Sequence, residues 1–327
     1  MAVLSSLYAA IARRRRELYA SRPDLRRRLR RPVISVGNIA VGGRGKTPMV
    51  SCLARLLLEM GERPAVLSRG YRRRRADDGV VVVRDAAGLR ADLDRAGDEP
   101  LMLARQLPGA AVLVSPDRYL AGRVAELHLG ATVHVLDDGF QHLPLDRDLD
   151  LVIVGAADVD GSASTLPGGR LREMPDSLVA ADAVLAEDDS VLEAVSRDAA
   201  YETFRLRRVV GTVDGGALMA FAGIAAPERF FEDLRTAGHQ LVATAAFRDH
   251  HRYSRGDLDR LVRTARAAGA GRIVTTEKDF VRLLPFRPFP LPIAWVPLTM
   301  EPDPLPEFRR WLAGALDAAR DRLVRVD

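Results

Sequence analysis

Short apolar runs alternate with amphipathic stretches through most of the chain. Runs at Pro32–Val36, Pro64–Leu67, Val80–Val83, Ala111–Val114, Thr132–Leu136 and Leu151–Val154 have the length and β-branched content of buried strands. Between several of them, Thr47–Met60, Glu99–Gln106 and Arg118–Leu129 repeat apolar residues at helical spacing. This alternation predicts an α/β fold with a mostly parallel sheet, and sites in such sheets gather at the carboxyl ends of the strands. Gly161–Gly169, rich in turn formers, predicts an exposed loop. After about residue 200 the pattern restarts. Strands are expected at Thr203–Val209, Ala217–Ala222, Gln240–Ala246, Arg272–Thr276 and Ile293–Pro297, and helices over Pro227–Ala237, Arg255–Ala268 and Leu305–Ala318. The division that follows is a basic segment at 1–31, a first α/β domain at 32–200 and a second, smaller one at 201–327.

The first 31 residues have a pattern of their own. Val3, Leu4, Leu7, Tyr8 and Ile11 form a helical stripe, and a dense cationic stretch follows it. Ten arginines against Glu17 and Asp24 give this segment +8, so with +5 overall the rest of the chain carries −3. Such a helix suits an anionic membrane surface, and it equally suits packing on its own domain with solvated arginines. Few aromatics interleave with the arginines, which argues against nucleic acid.

Composition narrows the class further. At 327 residues, with 47% hydrophobic and 28% charged positions, the chain reads as an ordinary globular protein with ample core. The single cysteine, Cys52, excludes an intrachain disulfide and fits a reducing cytosol. No apolar run approaches the ~20 residues that span a bilayer, and the N-terminal charges follow the apolar stretch instead of preceding it, unlike a signal peptide. Of the 49 basic residues only Lys46 and Lys278 are lysines. Lysine in so arginine-rich a chain marks positions where a compact ammonium is needed.

Lys46 stands in Ala40-Val41-Gly42-Gly43-Arg44-Gly45-Lys46-Thr47, between an apolar strand and a helix. Glycines there let backbone N–H groups surround phosphate oxygens, and the helix N-terminus adds partial positive charge. Lys46 is expected to reach the β- and γ-phosphates and the Thr47 hydroxyl to ligate Mg²⁺. Ala40 departs from the common glycine. A second signal is the strand Val133–Leu136 delivering Asp137 and Asp138, the position of the Mg²⁺-holding acid in phosphate-loop enzymes. His142, close behind, equally suits the surface or a hydrogen-bonded core. Asp98 in Gly97-Asp98-Glu99-Pro100 also reads as a helix N-cap. Asp249-His250-His251 lacks the further ligands of a structural zinc site.

Together these stretches, with Ser68-Arg69-Gly70-Tyr71, Leu171-Arg172-Glu173, Phe221-Ala222-Gly223-Ile224 and Thr276-Glu277-Lys278-Asp279, resemble the tetraacyldisaccharide 4′-kinase family from about residue 32 to 300. The resemblance implies a P-loop NTPase-like domain, with a smaller α/β domain closing over the cleft. It implies Mg²⁺-dependent transfer of the γ-phosphoryl group of ATP to the 4′-hydroxyl of a lipid-anchored glucosamine disaccharide, the lipid A precursor. By that similarity Lys46 and Thr47 serve ATP and metal, and Asp137 and Asp138 complete the metal site. Asp98 is the base, assisted by His250. Arg118, Arg172, Glu173 and Gln141 are further active-site positions, with Glu173 added to the metal set, and Tyr71 helps hold the disaccharide. The implied location is cytoplasmic, peripheral to the inner membrane, with no obligate protein partner and no nucleic acid. The alternative is a membrane-associated switch GTPase or ATPase, against which stands the lack of an Asn/Thr-Lys-x-Asp guanine-reading motif around either lysine.

Overall fold

The computed structural model describes residues 1–43, 45–71, 73–75, 79–196, 200–214 and 216–324. The apolar run after Pro32 forms β1 (Val33–Asn38), with every residue buried. In chain order there follow β2 (Pro64–Ser68), β3 (Val81–Asp85), β4 (Gly88–Leu89), β5 (Ala111–Val114), β6 (Val133–Asp137) and β7 (Leu149–Ile153). Then come β8 (Ala183–Ala186), β9 (Glu202–Val210), β10 (Leu218–Ala222), β11 (Leu241–Ala246), β12 (Arg272–Thr276), β13 (Ile293–Val296) and β14 (Leu298–Asp303).

Among the described residues these strands make two sheets. The large one runs β14-β9-β8-β7-β1-β6-β2-β5-β3-β4 and the small one β11-β10-β12-β13. β1 is central and parallel to both neighbours, β6 and β7. Antiparallel pairing is confined to the margins, where β3 meets β4 and β5, and β14 meets β9. The small sheet is parallel throughout. The fold is therefore the mixed α/β, mostly parallel class that the alternation predicts.

Three strands escaped the pattern: the two-residue β4, and β8 and β14, which matter more. β8 is four residues with alanine at both ends, too little apolar signal to separate from a loop. β14 carries Glu301 and Pro302, which a strand tolerates at a sheet edge, where one side of its ladder has no partner. They change the topology. β9 belongs to the large sheet, so the chain does not change sheets at residue 200. It leaves after Val210 and returns with β14 and the helix Leu305–Val324, whose Phe308, Leu312 and Leu316 pack in the large core. The small sheet is an insertion between two strands of the large one.

One face of the large sheet is covered by α2 (Lys46–Glu59), the helix Asp98–Gln106 and that C-terminal helix; the other is covered by the helix Arg118–His128. The first helix, α1 (Ala2–Ser21), buries only Ser5. Its Val3, Leu4, Leu7 and Ile11 are exposed, more than half of each side chain's surface being open. Among the described residues no helix is long and apolar enough to cross a membrane.

Candidate active site

β1 ends at Asn38 and α2 begins at Lys46, so the glycine-rich loop spans strand to helix as its sequence predicts. Gly45 caps α2 at φ 77°, a left-handed conformation open to glycine. Ala40 is buried and bridged to Leu171, while the Val41 N–H donates to the Arg170 carbonyl. The loop's first turn is thus held as an extra ribbon, with no positive φ at residue 40, and alanine fits where the common pattern has glycine. Gly42 and Gly43 are exposed, and Arg44 lies outside the described residues. Thr47 is the second residue of α2 and half-buried.

Parallel pairing puts Val36 of β1 beside Asp137 of β6, which brings the second motif to the loop. Asp138 follows at φ 59° and turns the chain back under β1. There the backbone passes so close that a Cβ at Gly37 would lie 2.4 Å from the Phe140 Cβ. Lys46 Nζ is 3.6 Å from Asp138 Oδ1, and Arg172 Nη1 donates to both Asp138 oxygens at 2.8 and 3.0 Å. Those cations outweigh burial and lower the Asp138 pKa. Asp137 is opposite in character: burial, with the like charges of Glu99 and Asp138, pushes its carboxyl up to about 7. The hydrogen bond it accepts from Ser68 Oγ is long at 3.5 Å. Arg118 opens its helix, buried and donating to the Pro116 carbonyl at 2.9 Å, with its charge felt by both aspartates. Burial, then Arg118 and Arg147, hold His142 down to about 3, so it stays neutral.

Glu173, which the resemblance adds to the metal set, meets α1 in this structure. Both its oxygens accept from Arg16 of α1, at 2.6 and 2.9 Å. The same guanidinium donates to the Phe140 carbonyl at 3.2 Å and lies 4.1 Å over the Phe140 ring. Gln141 follows Phe140 in the same turn. Its Nε2 donates to the Asn38 carbonyl at 2.9 Å, and its Oε1 faces Arg172 Nη1 at 3.4 Å.

Asp98 opens the helix Asp98–Gln106, its Oδ1 accepting from the Glu99 N–H at 2.9 Å. Its Oδ2 meets His250 Nδ1 at 3.0 Å, though 152 residues separate them in sequence. The small-sheet insertion delivers His250 in the loop after β11, at φ 59°. Arg282, from the helix Glu277–Leu283, donates to the same Oδ2 through Nε at 2.8 Å and again through Nη2. Burial alone raises the pKa of Asp98; the His250 hydrogen bond and the charges of Lys278 and Arg282 reverse this and hold it well below the usual carboxylate range. Tyr71 points its ring edge-on to His250, centroids 5.7 Å apart. Arg282 and Arg16 were not singled out by the sequence, since arginine is everywhere in this chain.

A family model described as LpxK, tetraacyldisaccharide-1-P 4′-kinase, matches residues 1–317. The chain belongs to this family. The tetraacyldisaccharide 4′-kinase of Geobacter metallireducens is 40% identical over 299 residues, covering 87% of this chain and 88% of that protein. That of Syntrophus aciditrophicus is 38% identical over 317 residues, covering 87% and 84%. The crystal structure of LpxK from Aquifex aeolicus in complex with ATP superposes with a TM-score of 0.78 at 29% identity, covering 96% of this chain and 97% of that one. The chain is thus a lipid A precursor kinase, transferring phosphate to a hydroxyl.

Proposed function

We propose that the chain transfers the γ-phosphoryl group of ATP to the 4′-hydroxyl of the tetraacyl disaccharide, with Asp98 as the base and Lys46 as the γ-phosphate ligand. The observation that carries this reading is the Asp98–His250 contact across the two sheets, 3.0 Å long, on the same molecule as a glycine-rich loop at the end of β1. Phosphoryl transfer asks a protein mainly for alignment and charge neutralisation, which Lys46, Arg118 and Arg172 supply. A carboxylate as acidic as Asp98 takes the hydroxyl proton late, when P–O bond formation has acidified it. Tyr71, exposed beside His250, would meet the sugar. Incubation with labelled ATP and a lipid A precursor extract tests the reading. Label is expected on the lipid; ATP hydrolysis without lipid labelling would return the chain to the switch class.

The residues present fit Mg²⁺. Asp137 is a buried carboxylate beside like charges, short of compensation, and Mg²⁺ characteristically takes one or two carboxylates and leaves its other positions to phosphates and water. Asp137, with the Thr47 hydroxyl, would hold the ion, and Asp138 would hold Lys46 and Arg172 in place. When bound, the ion neutralises charge on the phosphate oxygens. Because burial and the neighbouring carboxylates push the free Asp137 carboxyl up to about 7 and a cation needs the ionised form, binding of magnesium nucleotide should release protons at neutral pH. Calorimetry at pH 6.5 in buffers of different ionisation enthalpy is expected to show this release, with affinity rising up to about pH 7. Asp137→Asn should remove the buffer dependence.

The outward face of α1 is read as a lipid-surface contact. Val3, Leu4, Leu7 and Ile11 stand exposed, followed by arginines suited to anionic headgroups. Leu4→Gln combined with Leu7→Gln should weaken co-sedimentation with anionic vesicles while leaving nucleotide binding unchanged. Equal sedimentation of the double variant would remove this face from the contact.

A further inference from the structure

We infer that Lys278 is a positioning residue that fixes the tautomer of His250, and through it the orientation of Asp98. The inference rests on Asp98 as the base and gives a chemical task to the second of the chain's two lysines. Thr276-Glu277-Lys278-Asp279 folds as a helix start: the Thr276 side chain accepts from the Asp279 N–H at 3.1 Å and donates to Asp279 Oδ2 at 2.7 Å. Asp279 in turn accepts from the Gly223 N–H at 2.9 Å and from the Tyr253 hydroxyl at 2.8 Å. The helix is therefore pinned to the end of β10, and its residues 278 and 282, one turn apart, share a face.

That face presents two cations to one imidazole. Lys278 Nζ lies 3.3 Å from His250 Nε2 and 2.9 Å from Glu99 Oε1. Arg282 Nη2 lies 3.4 Å from His250 Nδ1, but its proton goes to Asp98 Oδ2, the oxygen it shares with the ring, so it makes no demand on Nδ1. An ammonium has only protons to offer, so Nε2 must accept, and the ring proton of the neutral imidazole must sit on Nδ1. Nδ1–H then donates to Asp98 Oδ2 at 3.0 Å. The other tautomer would set an N–H against the ammonium and a lone pair against the carboxylate. The remaining acceptor near Nε2, Asp249 Oδ1, is 3.9 Å away and too far to rescue it. The charges of Glu99 and Asp98 outweigh burial and raise the Lys278 pKa, which keeps it a donor.

His250 so arranged steers Asp98 and does not relay its proton from Nδ1, which is already protonated. Lys278→Met keeps the length of the stem and deletes the donor; Lys278→Gln restores an N–H. Nitrogen-15 spectra of the full-length protein, with the His250 ring assigned by its loss in His250→Gln, should show the Nδ1–H tautomer in the wild type. In Lys278→Met an Nε2–H population should appear, with kcat falling about 10- to 100-fold at little-changed KM, a scale typical of supporting-partner loss. Lys278→Gln should recover part of kcat. An Nε2–H ring in the wild type would overturn the inference, as would an unchanged ring in Lys278→Met. A lysine acting merely as the ion-pair partner of Glu99 would leave the ring spectrum alone and be mimicked by Glu99→Gln. Should Asp98→Ala turn over normally, the base assignment fails while the tautomer result still stands.

Discussion

Asp98→Ala is expected to bind ATP normally and to lose turnover by about 10² to 10⁴-fold, the range general-base removal spans. The geometry makes this variant more informative than most. Asp98 Oδ2 is the common acceptor for His250 and for two nitrogens of Arg282, all of them on the inserted small-sheet unit. Its loss leaves Arg282 with Asp279 at 2.8 Å and the Gly223 carbonyl at 2.9 Å, so the guanidinium is not stranded. Removing one partner of a buried ion pair ordinarily costs about 3 to 5 kcal/mol, and that residual pairing should keep the loss below it. Asp98→Asn separates the two effects, since its carboxamide oxygen still accepts from Arg282 but takes no proton. Near-normal turnover in both variants would sink the base assignment.

Lys46→Arg should be nearly as damaging as Lys46→Ala, each losing about 10² to 10³-fold in kcat. Conservation of charge does not rescue it, because the space is built for a point cation. Lys46 is largely enclosed, 12% exposed, and 3.6 Å from Asp138, whose two oxygens are already filled by Arg172. A second planar guanidinium would compete for that carboxylate and push the phosphates out of line. Single-turnover measurement with saturating lipid distinguishes this from weak binding. Recovery of Lys46→Arg to within a few-fold of wild type would show that only charge matters there. Such tolerance would fit a chain in which arginine has replaced lysine almost everywhere else.

The phosphate loop and the Asp137-Asp138 strand were legible because each is local, an apolar strand handing a short polar motif to the next element. The parallel register that joins them follows from the alternation itself. Asp98 and His250 could be paired from the sequence only through family resemblance, since one sits in each unit. Arg282 left no trace, lying 184 residues from Asp98 among many arginines with no spacing to mark it. The Arg16–Glu173 pair was hidden for a related reason, its partners lying 157 residues apart. The domain boundary slipped because β14 reads as a Pro-rich edge, and without it the return to the large sheet cannot be seen.

The first helix is hooked at both ends. Near its start, Ser5 accepts from the Gly168 N–H through its hydroxyl and from Thr165 through its carbonyl; near its end, Arg15 and Arg16 grip Gln141, Phe140 and Glu173. A helix fastened this way transmits load. Whatever surface takes hold of its outer face tugs on the turn that carries Asp138. Truncating residues 1–21 therefore cannot isolate anchoring from catalysis, because the cut also strips Glu173 of its counter-ion and uncovers Phe140. Substitutions on the outer rim, at positions such as Leu4 and Leu7, probe the proposed contact and leave the machinery attached.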